Sequence, residues 1–387
     1  MGMNKKVLIG VPLVLFLIAA SFIVFLTYSS GKNATLAPTP TSPPYNVQRS
    51  DEVPYSTHRA VSLAPSRVST TLTPWGIAMD KTRGFIWVAE PGCEPKPTCP
   101  SRFQGVLGEY ALSDGSFITN FYEPSGYTSP MFVAVDGSGN VWFTQPNSDA
   151  IGEFDPQHQT WHQWSTKKGS APFDLVFDKQ GNLWFTEYTG NSIGFLNART
   201  HTLVETPTPG AGSSPYGIAL DTQGNIWFAE NALGIDKIGS FAPSADGHIR
   251  ISEHDVTPER PHLITADGAG NIWYTGGFDG RIGVFNSHTG QSTVFQVFRG
   301  ACLTPPNCTG THISGISVDS RGYVWYTDSL TQQVGYLIPS TGQVVARTLP
   351  VSNAHPYDGL LVDDEGRVWF TEEFKLTLTM WPTSSVR

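Results

Sequence analysis

Three histidines and three carboxylates in the last third of the chain have residue types that could do chemistry: His262, His312 and His355, with Asp328, Asp358 and Glu373. An imidazole is the commonest general base near neutral pH. A hard divalent ion wants several oxygen ligands, which Asp328, Asp358 and Glu373 could supply. His262 directly follows a proline. Ser314 and Asp358 hold the corresponding places in two later segments, and His312 and His355 lie two or three residues before them. Earlier in the chain the same place is taken by Trp75, Met131, Phe173 and Tyr216. An aromatic arc (Trp75, Phe173, Tyr216) facing a polar arc (His262, Ser314, Asp358) suits a small-molecule site. The plainer reading is a hydrogen-bonded histidine lining a mouth, and acids that only brace adjoining loops.

The elements that must position these residues come from an internal repeat. Seven segments align, among them PFDLVFDKQGNLWFTE from Pro172, PYGIALDTQGNIWFAE from Pro215 and YDGLLVDDEGRVWFTE from Tyr357. Their tryptophans are Trp87, Trp142, Trp184, Trp227, Trp273, Trp325 and Trp369, spaced 42 to 55 residues apart. This period suits a four-stranded propeller blade. A short apolar run makes the inner strand, and Asp with a following Gly-Asn makes the turn. The Trp-Phe or Trp-Tyr strand fills the space between blades. An Ile-Gly or Val-Gly pair (Ile193-Gly194, for example) marks the third strand, and a β-branched stretch the fourth. The last copy lacks its fourth strand, so Ala60–Leu63 is expected to supply it and close the ring. The fold class is therefore an all-β, seven-bladed β-propeller over residues 58–387. In such a ring the residue after each proline and the acid after each Trp-Phe-Thr should converge on one mouth. The second set is Glu90, Gln145, Glu187, Glu230, Gly276, Asp328 and Glu372.

The remaining sequence bounds location and partners. Charged residues make up 15% of the chain and the formal net charge is −9, which argues against nucleic acid as a partner. Lys5 and Lys6 precede an uncharged stretch from Val7 to Tyr28, about the roughly 20 residues that span a bilayer. Residues 1–30 are expected to be an N-terminal transmembrane anchor, with a cleaved signal sequence as the alternative. The positive flank stays in the cytoplasm, so the propeller lies outside a membrane crossed once. Residues 31–57, rich in Pro, Thr and Ser, form a linker. Cys93 with Cys99 and Cys302 with Cys308 are two local pairs, each able to close a disulfide loop in an oxidising compartment. The chain is expected to be a monomer.

The combination Pro-x-Gly-Ile, Gly-Asn-x-Trp-Phe-Thr-Glu and Ile-Gly, repeated seven times, resembles the virginiamycin B lyase family, the streptogramin B lyases, over about residues 58–385. The resemblance implies a magnesium-dependent elimination that opens a cyclic depsipeptide at its ester, with a histidine as base. It implies histidines after the repeat proline in the last two blades, and a glutamate past the final Trp-Phe. Arg260-Pro261-His262 matches the Arg-Pro-His element but stands in the fifth blade. Ser314 and Asp358 replace the expected histidines, and Glu373 fills the glutamate slot. Two functions are consistent with these residues. One is a C–O lyase opening an ester or lactone, with His262, His312 or His355 as base. The other is a non-catalytic surface propeller that binds a small molecule, glycan or protein.

Overall fold

The repeat folds as its period demands. The computed structural model describes residues 59–62, 72–92, 104–257, 260–298, 310–350 and 352–382. The anchor at residues 1–30, the linker at 31–57 and all four cysteines lie outside the described residues. Among the described residues there are seven antiparallel sheets of four strands, one per repeat, making a seven-bladed propeller. The inner strands are Ile77–Asp80, Val133–Val135, Pro172–Phe177, Pro215–Leu220, Ile264–Ala266, Ile313–Val318 and Pro356–Val362. Blade 7 takes its outermost strand from the start of the domain: Arg59–Ser62 pairs antiparallel with Thr377–Pro382, closing the ring. The closing strand begins one residue earlier than the expected Ala60.

Three recurring side chains explain why the repeat reads as it does. The turn aspartate accepts the indole N–H of the blade tryptophan in six blades, from Asp136 with Trp142 at 3.0 Å to Asp363 with Trp369 at 2.8 Å. All seven tryptophans are buried, so their one polar atom needs a partner inside the fold. The glycine of Ile-Gly sits directly across the ladder from an aromatic residue: Phe143 with Gly152, Phe185 with Gly194, Phe228 with Gly239. A Cβ at any of these glycines would run into that ring. The glycine therefore leaves a slot in which the ring lies flat on the neighbouring strand. The threonine of Trp-Phe-Thr reaches the next blade: Thr144 donates to the Phe173 carbonyl at 2.5 Å and Thr186 to Tyr216 at 2.6 Å. Thr275 likewise donates to Ser314, Thr327 to Tyr357 and Thr371 to Trp75. These bonds clamp the inner strands at their entry, where the candidate site residues sit.

Blade 7 departs from its siblings by one residue. Elsewhere the ladder runs from Pro215↔Glu230 to Ile218↔Phe228, or from Ile313↔Asp328 to Ile316↔Tyr326. In blade 7 it runs from Pro356↔Glu372 to Leu360↔Phe370, with one more residue on the inner strand. The proline slot of the seventh copy is therefore Pro356, whereas the sequence alignment placed Tyr357 there. Tyr357 offers the clamped carbonyl, and Asp358 is the added residue.

Candidate functional site

The extra residue carries Asp358 to a place where four other blades meet it. Its side chain is fully buried and accepts hydrogen bonds from Trp75 Nε1 (3.1 Å), Tyr216 Oη (2.7 Å), His262 Nε2 (3.2 Å) and Ser314 Oγ. Burial, the largest effect, pushes the Asp358 carboxyl up. The adjoining His262 and the hydrogen bonds from His262, Ser314 and Tyr216 outweigh it and hold the group below the ordinary aspartate range. The result is an ionised carboxylate enclosed by blades 1, 4, 5 and 6.

His262 is saturated as well. A carboxylate can only accept, so Nε2 carries the proton donated to Asp358. Nδ1 lies 3.3 Å from Asn231 Nδ2. That amide nitrogen also faces the Arg260 and Pro261 carbonyls, which identifies it as the donor, and His262 Nδ1 accepts. Neither ring nitrogen is left for a ligand. His262 also stacks on Tyr216, ring centroids 4.1 Å apart.

His312 is arranged differently. Asp328 Oδ1 accepts its backbone N–H at 3.0 Å, and its Nδ1 lies 3.2 Å from the Ser329 hydroxyl. Its Nε2 makes no hydrogen bond among the described residues, and the ring lines a cavity of about 180 Å³. Burial, reinforced by His262, pushes its pKa down to about 3, so the imidazole is neutral at physiological pH. Tyr188, Tyr216, Asn231, Arg260, Phe278 and Tyr357 also line the cavity. Phe278 stacks on His312 at 4.2 Å and is itself 40% exposed, so it forms the rim.

His355 stands beside Tyr357 and Phe374, with ring centroids at 5.4 and 4.1 Å. Its Nδ1 lies 2.7 Å from Glu373 Oε2, out of line for a hydrogen bond. Of the aromatic arc, Tyr216 reaches the cavity. Phe173 is packed between Phe132 and Tyr216, and Trp75, like Ser314, serves as a buried donor to Asp358.

Two expectations need correcting. The acids of the second set do not converge on the mouth. Glu90 meets Tyr110, Gln145 meets Glu123 and Gln163, and Glu372 meets Thr379, all inside their own blades or against the next. Only Gly276 of that set borders the cavity. The reason is burial: each ends a strand covered by its neighbours, and Glu230 has no hydrogen-bond partner for either carboxylate oxygen among the described residues. Asp328, Asp358 and Glu373, expected to hold magnesium, are likewise not brought together. Among the described residues no group of three His, Cys, Asp or Glu side chains could hold a metal ion. Asp358 is filled by four donors, and Asp328 accepts from Thr311, His312 and Thr331. The donor set does not fit a magnesium ion.

A signal one residue upstream was missed. The slot before the repeat proline holds Ser129, Ala171 and Ser214 in blades 2 to 4, but Arg260, His312 and His355 in blades 5 to 7. In blades 3, 4, 6 and 7 a backbone N–H just past the second strand ties this slot down: Tyr188 to Ala171, Asn231 to Ser214, Ser329 to His312, Glu373 to His355. Small residues on one half of the ring and nitrogen-bearing ones on the other make the mouth one-sided. Gly276-Gly277, where five of the other six blades carry an acid, opens the cavity wall in blade 5.

Fold and site define a seven-bladed propeller with a polar, aromatic-walled mouth. The sequence profile of the virginiamycin B lyase family matches residues 107–305, and the chain belongs to that family. Among solved structures it is similar to the selenomethionine-substituted virginiamycin B lyase from Staphylococcus aureus, at 22% identity and a TM-score of 0.69. That match covers 84% of this chain and 98% of the other. A catalytically inactive variant of the S. aureus enzyme with quinupristin matches at 23% identity and a TM-score of 0.68, with the same coverage. A streptogramin B lyase matches at 21% identity and 0.68, over 84% of this chain and 96% of that one. At these identities the likeness is one of fold. No curated protein matches the chain in sequence.

Proposed function

We propose that this propeller binds a small molecule at its mouth, and that it does so outside a membrane to which residues 1–30 anchor it. One observation carries the reading. The closed hydrogen-bond shell around Asp358 and His262 leaves these groups no free atom, yet it borders an open cavity with free polar edges. A fully satisfied buried network rigidifies a site, and a concave pocket of aromatic walls with a few polar groups is the usual form of a ligand site. The anchor rests on the Val7–Tyr28 run and its lysines.

A second reading, a C–O lyase, is favoured by His312 alone. If its Nδ1 donates to Ser329, Nε2 presents a lone pair to the cavity and could take a proton from a bound ester. The base would then be His312; His262 has both nitrogens engaged and His355 stands against Glu373.

One experiment separates the two. The purified full-length chain is incubated with quinupristin, with magnesium or with a chelator, and the products are read by mass spectrometry. Binding is followed by tryptophan fluorescence. The binding reading expects a saturable ligand response and no linearised product in either condition. Product that disappears in His312→Ala would replace it with the lyase reading.

A further inference from the structure

The mouth is an unusual place for unpaired positive charge in a chain of net charge −9. Arg260 Nε donates to the Asn231 carbonyl at 3.2 Å, and its backbone N–H donates to Ile235 at 2.8 Å. The terminal guanidinium nitrogens make no hydrogen bond or ion pair among the described residues, and the side chain lines the cavity. The other carboxylates nearby are already engaged. Asp279 is within 2.5 Å of Arg281, and Asp358 is enclosed by its four donors. By contrast, Arg83, Arg321 and Arg367 each close on the turn aspartate of their own blade. The left-handed backbone at Arg260 (φ 56°) is not the special feature, since Ser129, Ala171 and Ser214 share it at φ 35°, 49° and 50°. What is special is that an arginine stands where those blades carry small side chains.

His312 complements it. When Nδ1 accepts the Ser329 hydroxyl proton, Nε2–H points a second, uncharged donor at the same space. The rings of Tyr216, Phe278 and Tyr357 supply the walls. Size limits the occupant: an engineered cavity of about 150 Å³ holds benzene, so about 180 Å³ admits one ring with a small polar group.

We propose that this cavity takes a single-ring aryl carboxylate, its carboxylate seated on the Arg260 fork with His312 Nε2–H beside it, and its ring among Tyr216, Phe278 and Tyr357. The proposal rests on the reading of the mouth as a small-molecule site and adds the ligand's charge and size. Planar, bidentate recognition of a carboxylate is the particular strength of arginine. The ligand could be free, or a terminal aryl acid of something larger whose remainder stays outside Phe278.

The test uses benzoate, with benzamide as its uncharged counterpart, titrated into the full-length chain and followed by calorimetry and ligand-observed NMR. Benzoate should bind, and benzamide about 10- to 100-fold more weakly, the range expected for hydrogen bonds to a charged group. Arg260→Gln should bring benzoate down to the benzamide level, and Arg260→Lys should fall between, with melting temperatures near that of the wild type. If Arg260→Gln does not fold, Arg260→Lys and the benzoate–benzamide comparison on the wild type decide. Equal binding of benzoate and benzamide, untouched by the Arg260 variants, would overturn the charge assignment and leave the small-molecule reading standing. No binding of either probe would overturn both.

Discussion

Asp358→Asn keeps the shape of the central side chain and removes its charge, so it tests the five-blade junction directly. A carboxylate accepts on both oxygens; an amide accepts on one and donates on the other. Trp75 Nε1 can only donate, so the amide oxygen must stay on the side of Trp75 and Tyr216. The amide nitrogen then faces Ser314 and His262. Ser314 can rotate its hydroxyl to accept. His262 can accept at Nε2 only by moving its proton to Nδ1, which then confronts Asn231 Nδ2–H. That amide cannot turn round without losing the Arg260 and Pro261 carbonyls. The substitution therefore converts charge-assisted bonds into neutral ones and pushes one donor–donor clash outward. At about 1.5–3 kcal/mol for a bond to a charged group against about 1 for a neutral one, the loss is about 2–4 kcal/mol. For a propeller of this size that corresponds to a fall in melting temperature of about 3–6 °C. Linkage supplies a second readout. The Asp358 pKa is lowered on folding, so its stabilisation is present above the unfolded value of about 3.9 and lost as pH falls through the folded one. Differential scanning calorimetry from pH 7 down to pH 3 should show the gap between wild type and variant closing in acid. An Asp358→Asn protein that melts with the wild type at pH 7 would refute the reasoning.

The other predictions concern the blades. Burial raises Glu90, Glu123 and Glu187 to about 8 and Glu230 to about 7. A carboxyl raised on folding contributes stability that is fully present below its unfolded pKa and lost as pH rises through the folded one. The melting temperature should therefore fall between about pH 4.5 and pH 8 and level off above, and Glu187→Gln should reduce that slope; an unchanged slope counts against the burial assignment. Gly194→Ala places a methyl group against the Phe185 ring and should destabilise blade 3 by about 1–3 kcal/mol. A urea titration with wild-type stability would show that the ring has room to move.

Much of this molecule was legible in the sequence because the signal was repeated. Seven copies of a turn aspartate and a tryptophan, with a cross-strand glycine in every blade but the seventh, repeat one local geometry around the ring, and local hydrogen bonds such as Trp184 to Asp178 follow from spacing alone. The ring closure could be read from the missing fourth strand of the last copy. The candidate site was less legible, because it sits where the copies stop agreeing. The added residue in blade 7 is one position in length, invisible to an alignment that slides to match Gly359 but plain in the ladder between Pro356 and Leu360. That shift decides that Asp358 meets Trp75, some 283 residues away in sequence. The repeat acids looked like a mouth ring because they recur; whether a strand-end carboxylate faces the mouth or its own blade depends on which neighbour covers it. Sequence alone thus determined the seven blades, their turns and the histidines to watch. Tertiary structure decided which of those histidines keeps a free nitrogen, because Asp358 from blade 7 and Asn231 from blade 4 engage both ring nitrogens of His262 and neither reaches His312.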